Sequence, residues 1–297
     1  MNYGSVVSRA WSIFWKQKVI WLFYIVALLP IFVYSIATIL IDPTGLSNSS
    51  ETLQIITTLI IYAISTVLTT FGLVGIIRGV ARCYKDPLLV LTFRDIYDDV
   101  LPRFGKTLLF NFIYYAVSLV FFGIVTIGGT GLASTGAQES MALMLSSLCQ
   151  CILAPVLIVA GYVYTLMMIA LVVDDLSIGE AIRRGWNVFF QNVGQFLVIG
   201  LIVVGIGLGF SIVAMIPVFC TMGAYLNELV ASGVTDPALM SIHLPWYVTV
   251  SVFVLSLLGL LFGIFINSIY VTAYLEITKR PGWKKEQLPE ELEQEPL

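Results

Sequence analysis

The sequence predicts an all-α integral membrane protein with six transmembrane helices, and three observations carry that prediction. The first is composition. Apolar and aromatic residues make up 59% of the chain and charged residues 11%, with a mean hydropathy of +0.96. Soluble domains carry about a quarter charged residues, so this chain has too few to clothe a surface facing water. The second is the presence of six apolar stretches, each as long as the roughly 20 residues that a helix needs to cross about 30 Å of hydrocarbon. The third is the placement of the cations, all on alternate connections between those stretches.

The six predicted spans are Val19–Ile41, Leu53–Ile77, Leu108–Ile127, Ala142–Val173, Val193–Val218 and Trp246–Tyr274. Arg9, Lys16 and Lys18 precede the first, and Arg78, Arg82, Lys85, Arg94, Arg103 and Lys106 separate the second from the third. Arg183 and Arg184 lie between the fourth and fifth, and Lys279, Arg280, Lys284 and Lys285 follow the sixth, which accounts for all 15 Lys and Arg. The connections 42–52, 128–141 and 219–245 hold none. Basic residues are retained on the cytoplasmic side, so both termini are expected there, with the chain in the plasma (cytoplasmic) membrane. An amphipathic stretch runs straight into the first span, and no cleavable signal peptide is expected. Residues 1–279 read as a single six-span domain. The tail 280–297, rich in Glu and Pro, reads as solvated and disordered.

Each basic segment before an odd-numbered span carries a pattern of helical period. In the first, Tyr3, Val6, Val7, Ala10 and Phe14 share a face opposed by Ser5, Arg9, Ser12 and Lys16. In the second, Thr92 and Asp95 frame the start of a helix with Phe93, Ile96, Tyr97 and Val100 on its apolar side. In the third, Ser177 and Glu180 form a capping box, followed by Ile178, Ile182, Trp186 and Phe189 on one face and Arg183, Arg184 and Asn187 on the other. These segments are expected to lie in the membrane interface, with Trp11 and Trp186 among their anchors. The first and third align without gaps, Ala10–Trp15 over Gly185–Phe190, and the second aligns more weakly, Phe104-Gly105-Lys106 over Val193-Gly194-Gln195. The chain is therefore expected to be three parallel two-span repeats, at 1–87, 88–175 and 176–279.

The stretch Ala170–Asp175, with Ser177–Trp186 and Asn192 after it, resembles uncharacterised six-span prokaryotic membrane proteins related to the membrane domain of glycerophosphodiester phosphodiesterases. That domain likewise has an apolar span ending in an acidic pair, a short helix with an Ala-x-x-Arg-x-x-Trp pattern, and another span. The resemblance implies the six-span plan and no activity, since the phosphodiesterase barrel is absent and function does not follow from fold.

Few groups point to chemistry. No ionisable residue falls in the middle of a predicted span, which argues against a proton pump or an ion-coupled carrier. The polar span residues Asn111, Gln150 and Asn267, with Ser65, Thr66, Thr69 and Thr70, read as hydrogen-bonding glue between helices. Gly75 and Gly79, Gly205 and Gly209, and Gly259 and Gly263 are spaced so that each pair sits on one helix face and admits a neighbour. Met141, Met144, Cys151, Cys220 and Met222, with Cys149, Met240 and His243, gather near the outer ends of spans four to six. Soft sulfur ligands of this kind select Cu(I), but packing is the simpler reading, because Cys149 and Cys151 point to opposite sides of a helix. Asp95, Asp98, Asp99, Asp174 and Asp175 are the only acids clustered enough to suggest catalysis, and helix starts and a solvated face are the preferred reading of them. No nucleotide, zinc or nucleophile motif is present, and neither a cofactor nor nucleic acid is expected. The expected role is a non-enzymatic membrane scaffold or accessory subunit that contacts lipid headgroups, a partner membrane protein or a second copy. The alternative is a carrier or lipid-handling protein, whose mark would be an apolar cavity open between repeats.

Overall fold

The computed structural model describes residues 1–26, 29, 51–134, 139–231 and 246–278; the side chains of 51–58, 121–155 and most of 226–260 fall outside the description. The regular structure among the described residues is eight helices and no strand. They are α1 (Tyr3–Lys16), α2 (residues 18–26), α3 (Glu51–Lys85), α4 (Phe93–Ser134), α5 (Glu139–Val173), α6 (Ile178–Gln191), α7 (Val193–Ala231) and α8 (Trp246–Thr278). Four segments are long and apolar enough to cross a membrane: Leu59–Lys85, Val156–Val173, Val193–Tyr225 and Leu261–Thr278. They overlap the second, fourth, fifth and sixth predicted spans, and three of them extend past the predicted ends. The third predicted span lies within α4. Most of the first, together with the tail 280–297, Met240 and His243, lies outside the described residues.

Two helices stand apart by their shortness and amphipathicity. Each has 14 residues, and the boundaries of α1 recur 175 positions later in α6. Asn2 caps α1 by accepting from the Ser5 N–H at 3.2 Å. Ser177 caps α6 with the capping box: its hydroxyl takes the Glu180 N–H, while the Glu180 carboxylate takes the Ser177 N–H at 2.9 Å. Gln17 and Asn192 end the two helices. The buried positions also correspond: Val6, Ala10, Ile13 and Phe14 in α1, and Ala181, Gly185, Val188 and Phe189 in α6.

The second amphipathic segment differs from expectation. It is not a separate helix but the first turns of α4, which runs without interruption through Pro102. Thr92 and Asp95 cap it reciprocally, with Thr92 N donating to the Asp95 carboxylate at 2.9 Å and Asp95 N donating to Thr92 Oγ1 at 3.3 Å. Ile96 and Val100 are fully buried. On the turn that Pro102 disturbs, the Arg103 guanidinium donates to the Asp99 carbonyl at 2.9 Å. Pro102 lacks the N–H that would reach the Asp98 carbonyl, yet α4 continues through it.

By packing, the chain divides into two compact units: Met1–Asp98 with Gly194–Leu297, and Asp99–Val193. In the first, α1 packs on α8 and α3, and α3 packs on α8. In the second, α6 lies on α5. That crossing is close: a methyl added to Gly185 would stand 2.6 Å from the Met167 nitrogen and 2.7 Å from its Cα, so only glycine fits there.

Candidate functional site

Within the first unit, the polar side of α1 is tied to the ends of two long helices. The Arg9 guanidinium lies 4.8 Å above the Tyr84 ring and 3.8 Å from the Glu276 carboxylate, and the Tyr84 hydroxyl donates to Glu276 at 2.5 Å. Both acceptor lone pairs and cation are thus shared among α1, α3 and α8, a geometry that fixes α1 across the helix ends. At the other end of α1, Gln17 is 8% exposed. Its amide nitrogen donates to the Leu89 carbonyl at 2.6 Å and its oxygen accepts from Leu91 N at 3.3 Å. This pair of bonds holds the connection between α3 and α4 against the start of α2, satisfying backbone groups that burial would otherwise leave unpaired. Leu88 and Val90, on either side of Leu89, are 90% and 81% exposed.

Trp11 and Trp15 turn away from this core, each about half exposed, at 49% and 48%. Trp11 meets Phe265 of α8 edge-on at 5.2 Å, and the ring of Phe14 stacks on Trp21 at 5.0 Å. Between α1, α7 and α8 lies an open groove of about 660 Å³, lined by Tyr3, Gly4, Val7, Ser8, Trp11, Ile202, Ile206 and Phe265. Its side chains are apolar except for the hydroxyls of Tyr3 and Ser8 and the indole N–H of Trp11.

In the second unit, the acidic pair at the end of α5 is neutralised by cations. Asp175 accepts from the Arg103 guanidinium at 3.0 Å and from the Lys106 ammonium, and Lys106 also reaches the Leu176 carbonyl at 3.3 Å. Arg184 Nε stands 3.8 Å from Asp174. Asp175 adopts φ 56°, the left-handed conformation that ends helices and that Asp tolerates better than most residues. Arg183 is exposed, while Trp186 and Phe190 are 52% and 49% exposed, their rings in tilted contact with centroids 4.4 Å apart.

The other acids suggested by the sequence are placed as follows. Asp95 caps α4, and the bonds from the Thr92 hydroxyl and amide hold its carboxyl below the ordinary range. Glu180 is lowered for the same reason by Ser177. Asp98 stands 3.9 Å from Arg94 one turn away, both well exposed. Among the described residues no group of three or more His, Cys, Asp or Glu gathers to hold a metal. Met141, Met144 and Cys151 lie in α5 where side chains are not described. Cys220 and Met222 are both exposed on α7.

The glycine pairs separate into two kinds. A methyl on Gly75 would run into the Phe23 ring, one on Gly263 into Tyr24, and one on Gly79 would stand 3.0 Å from Ile20 Cγ1. Gly205, Gly209 and Gly259 face open space. Of the polar span residues, Asn111 joins two helices, accepting from the Tyr164 hydroxyl in a stack with Phe110 and Tyr114. Thr66, Thr70 and Asn267 bond to carbonyls of their own helices. Gln17, Tyr84 and Glu276 were not singled out by the sequence. The one available signal was Glu276, the only acid beside the end of the sixth predicted span.

No protein-family description, curated protein or solved structure matches this chain.

Proposed function

We propose that this chain is a non-enzymatic integral membrane protein of the plasma (cytoplasmic) membrane, with six spans and both termini in the cytoplasm. It acts as a scaffold or accessory subunit whose amphipathic helices engage lipid headgroups, a partner membrane protein or a second copy. The observation that carries this reading is the pairing of exposed aromatics on α1 and α6, Trp11 with Trp15 and Trp186 with Phe190. Trp at such positions anchors helices at the boundary between headgroups and acyl chains. The engagement of Asp95, Asp174 and Asp175 in caps and ion pairs supports a non-catalytic role. Shared boundaries and buried positions in α1 and α6 support the three-repeat plan, within the group of six-span membrane proteins that Ala170–Asp175, Ser177–Trp186 and Asn192 resemble. The test is an affinity-tagged chain purified in mild detergent. A stoichiometric protein partner or a stable homo-oligomer is expected, and a lone monomer contradicts the scaffold.

A second reading, a lipid-handling protein or carrier for an apolar or amphipathic substrate, is favoured by the groove between α1 of the first repeat and α7 and α8 of the third. Such cargo requires no buried charge. Accelerated movement of a fluorescent phospholipid between leaflets of proteoliposomes supports it, and the rate of protein-free vesicles removes it.

A further inference from the structure

We propose that the groove between α1, α7 and α8 is a seat for one acyl chain of a membrane phospholipid. Its volume, about 660 Å³, falls within the roughly 300–1,000 Å³ of pockets that hold small ligands. The floor is Phe265, and the walls are Val7 and Trp11 on one side and Ile202 and Ile206 on the other. The occupant follows from what the groove opens onto. Ile202 and Ile206 lie within Val193–Tyr225, the part of α7 that is long and apolar enough to cross a membrane. In a bilayer such a segment is surrounded by acyl chains, and an open apolar groove along it can admit one of them beneath α1. A water-filled groove of this lining would forfeit the burial free energy of its walls, about 25 cal/mol for each Å². The two hydroxyls, Tyr3 and Ser8, stand on the first turns of the amphipathic helix, where an ester or glycerol group can be met by hydrogen bonds while the chain lies against apolar groups.

The face that lines the groove is not the one that docks α1. Val6, Ala10, Ile13 and Phe14 hold the helix down, whereas Tyr3, Gly4, Val7, Ser8 and Trp11 face the groove, so the groove can be filled without undocking α1. The inference rests on the lipid-handling reading only in taking a bilayer lipid as ligand; it requires no transport.

The test uses the full chain in maltoside detergent, titrated with dipalmitoyl phosphatidylglycerol and, separately, dipalmitoyl phosphatidylcholine, with bound lipid counted by native mass spectrometry. A single retained lipid is expected with either headgroup. Val7→Trp and Ile206→Trp should each weaken it by about tenfold or more, while Leu119→Trp, on the exposed side of α4, leaves it unchanged. Quenching of tryptophan emission by a lipid with a brominated acyl chain is read on the same samples, with Trp11→Phe to isolate the signal from the groove. Absence of a retained lipid in the wild-type chain overturns the site, as does retention that the two filling variants do not reduce. A chain that retains the lipid but does not move it between leaflets keeps the site and removes the carrier reading.

Discussion

At the same position of two 14-residue helices stand Ala10 and Gly185, and one methyl group changes how each helix is held. The α6 helix presses its backbone against that of α5 at Met167, with the Arg184–Asp174 ion pair beside the crossing. The α1 helix, with Ala10 buried at the matching position, is also tied by polar contacts to distant parts of the chain: Arg9 to Tyr84 and Glu276, and Gln17 to the α3–α4 connection. The capping differs too. Glu180 completes a titratable box on α6, whereas α1 is capped by the amide of Asn2, which carries no charge. Two segments with the same length and the same buried positions thus differ in emphasis: a backbone-close crossing on α6, and polar contacts to distant parts of the chain on α1.

The largest expected effect is on the shape side. Gly185→Ala should destabilise the second unit by about 2–3 kcal/mol, because backbone rather than a flexible side chain must give way. Ala10→Gly at the matching position should cost only about 1 kcal/mol, the helix propensity difference. Equilibrium unfolding in mixed detergent micelles measures both, and equal costs would break the contrast. On the polar side, Gln17→Ala should cost about 2 kcal/mol, since it strands the Leu89 carbonyl and Leu91 N–H in a buried place. Asn192→Ala, which loses one bond to the Val188 carbonyl of its own helix, should cost about 0.5 kcal/mol by the same assay.

A smaller change is expected at the end of α5. Asp175→Ala should cost about 0.5–1 kcal/mol, modest because half of that side chain faces water. Asp175→Gly should recover part of the loss by relieving the left-handed backbone. The smallest effect is one of pH. The Glu180 carboxyl is lowered in the folded chain, so its contribution is complete above the ordinary Glu value and is lost as pH falls through the lowered one. Amide hydrogen exchange at the first turn of α6 should therefore rise on acidification, and Glu180→Gln should remove the dependence. The first turn of α1 should show no such response. A matching acid response there would contradict the role assigned to Asn2.

The pattern of caps and faces was legible because it is local. The Ser177–Glu180 box, the Thr92–Asp95 start and the polar side of α1 all follow from spacing within a turn or two. What failed to show was whatever depends on distant partners. Gln17 reaches across 72 residues and Tyr84 across 192 to Glu276, and no periodicity records such pairs. On α6 the sequence pointed to Ile178, Ile182, Trp186 and Phe189 as the face for the membrane interface; the face docked on the protein is a different one, Ala181, Gly185, Val188 and Phe189, sharing only Phe189 with it. Close helix crossings favour small groups, so size misleads where backbones meet.

The account depends on α1 and α6 lying on one side of a membrane whose opposite side carries the connections free of cations. Single cysteines at Ser5, Asn187, Ser47 and Ser232, in a chain with Cys83, Cys149, Cys151 and Cys220 replaced by Ser, test it directly with an impermeant maleimide on intact cells. Labelling of Ser47→Cys and Ser232→Cys without permeabilisation, and of Ser5→Cys and Asn187→Cys only after it, is the predicted result. If the cysteines at 5 and 187 label under opposite conditions, the two helices do not share a side and the account is wrong.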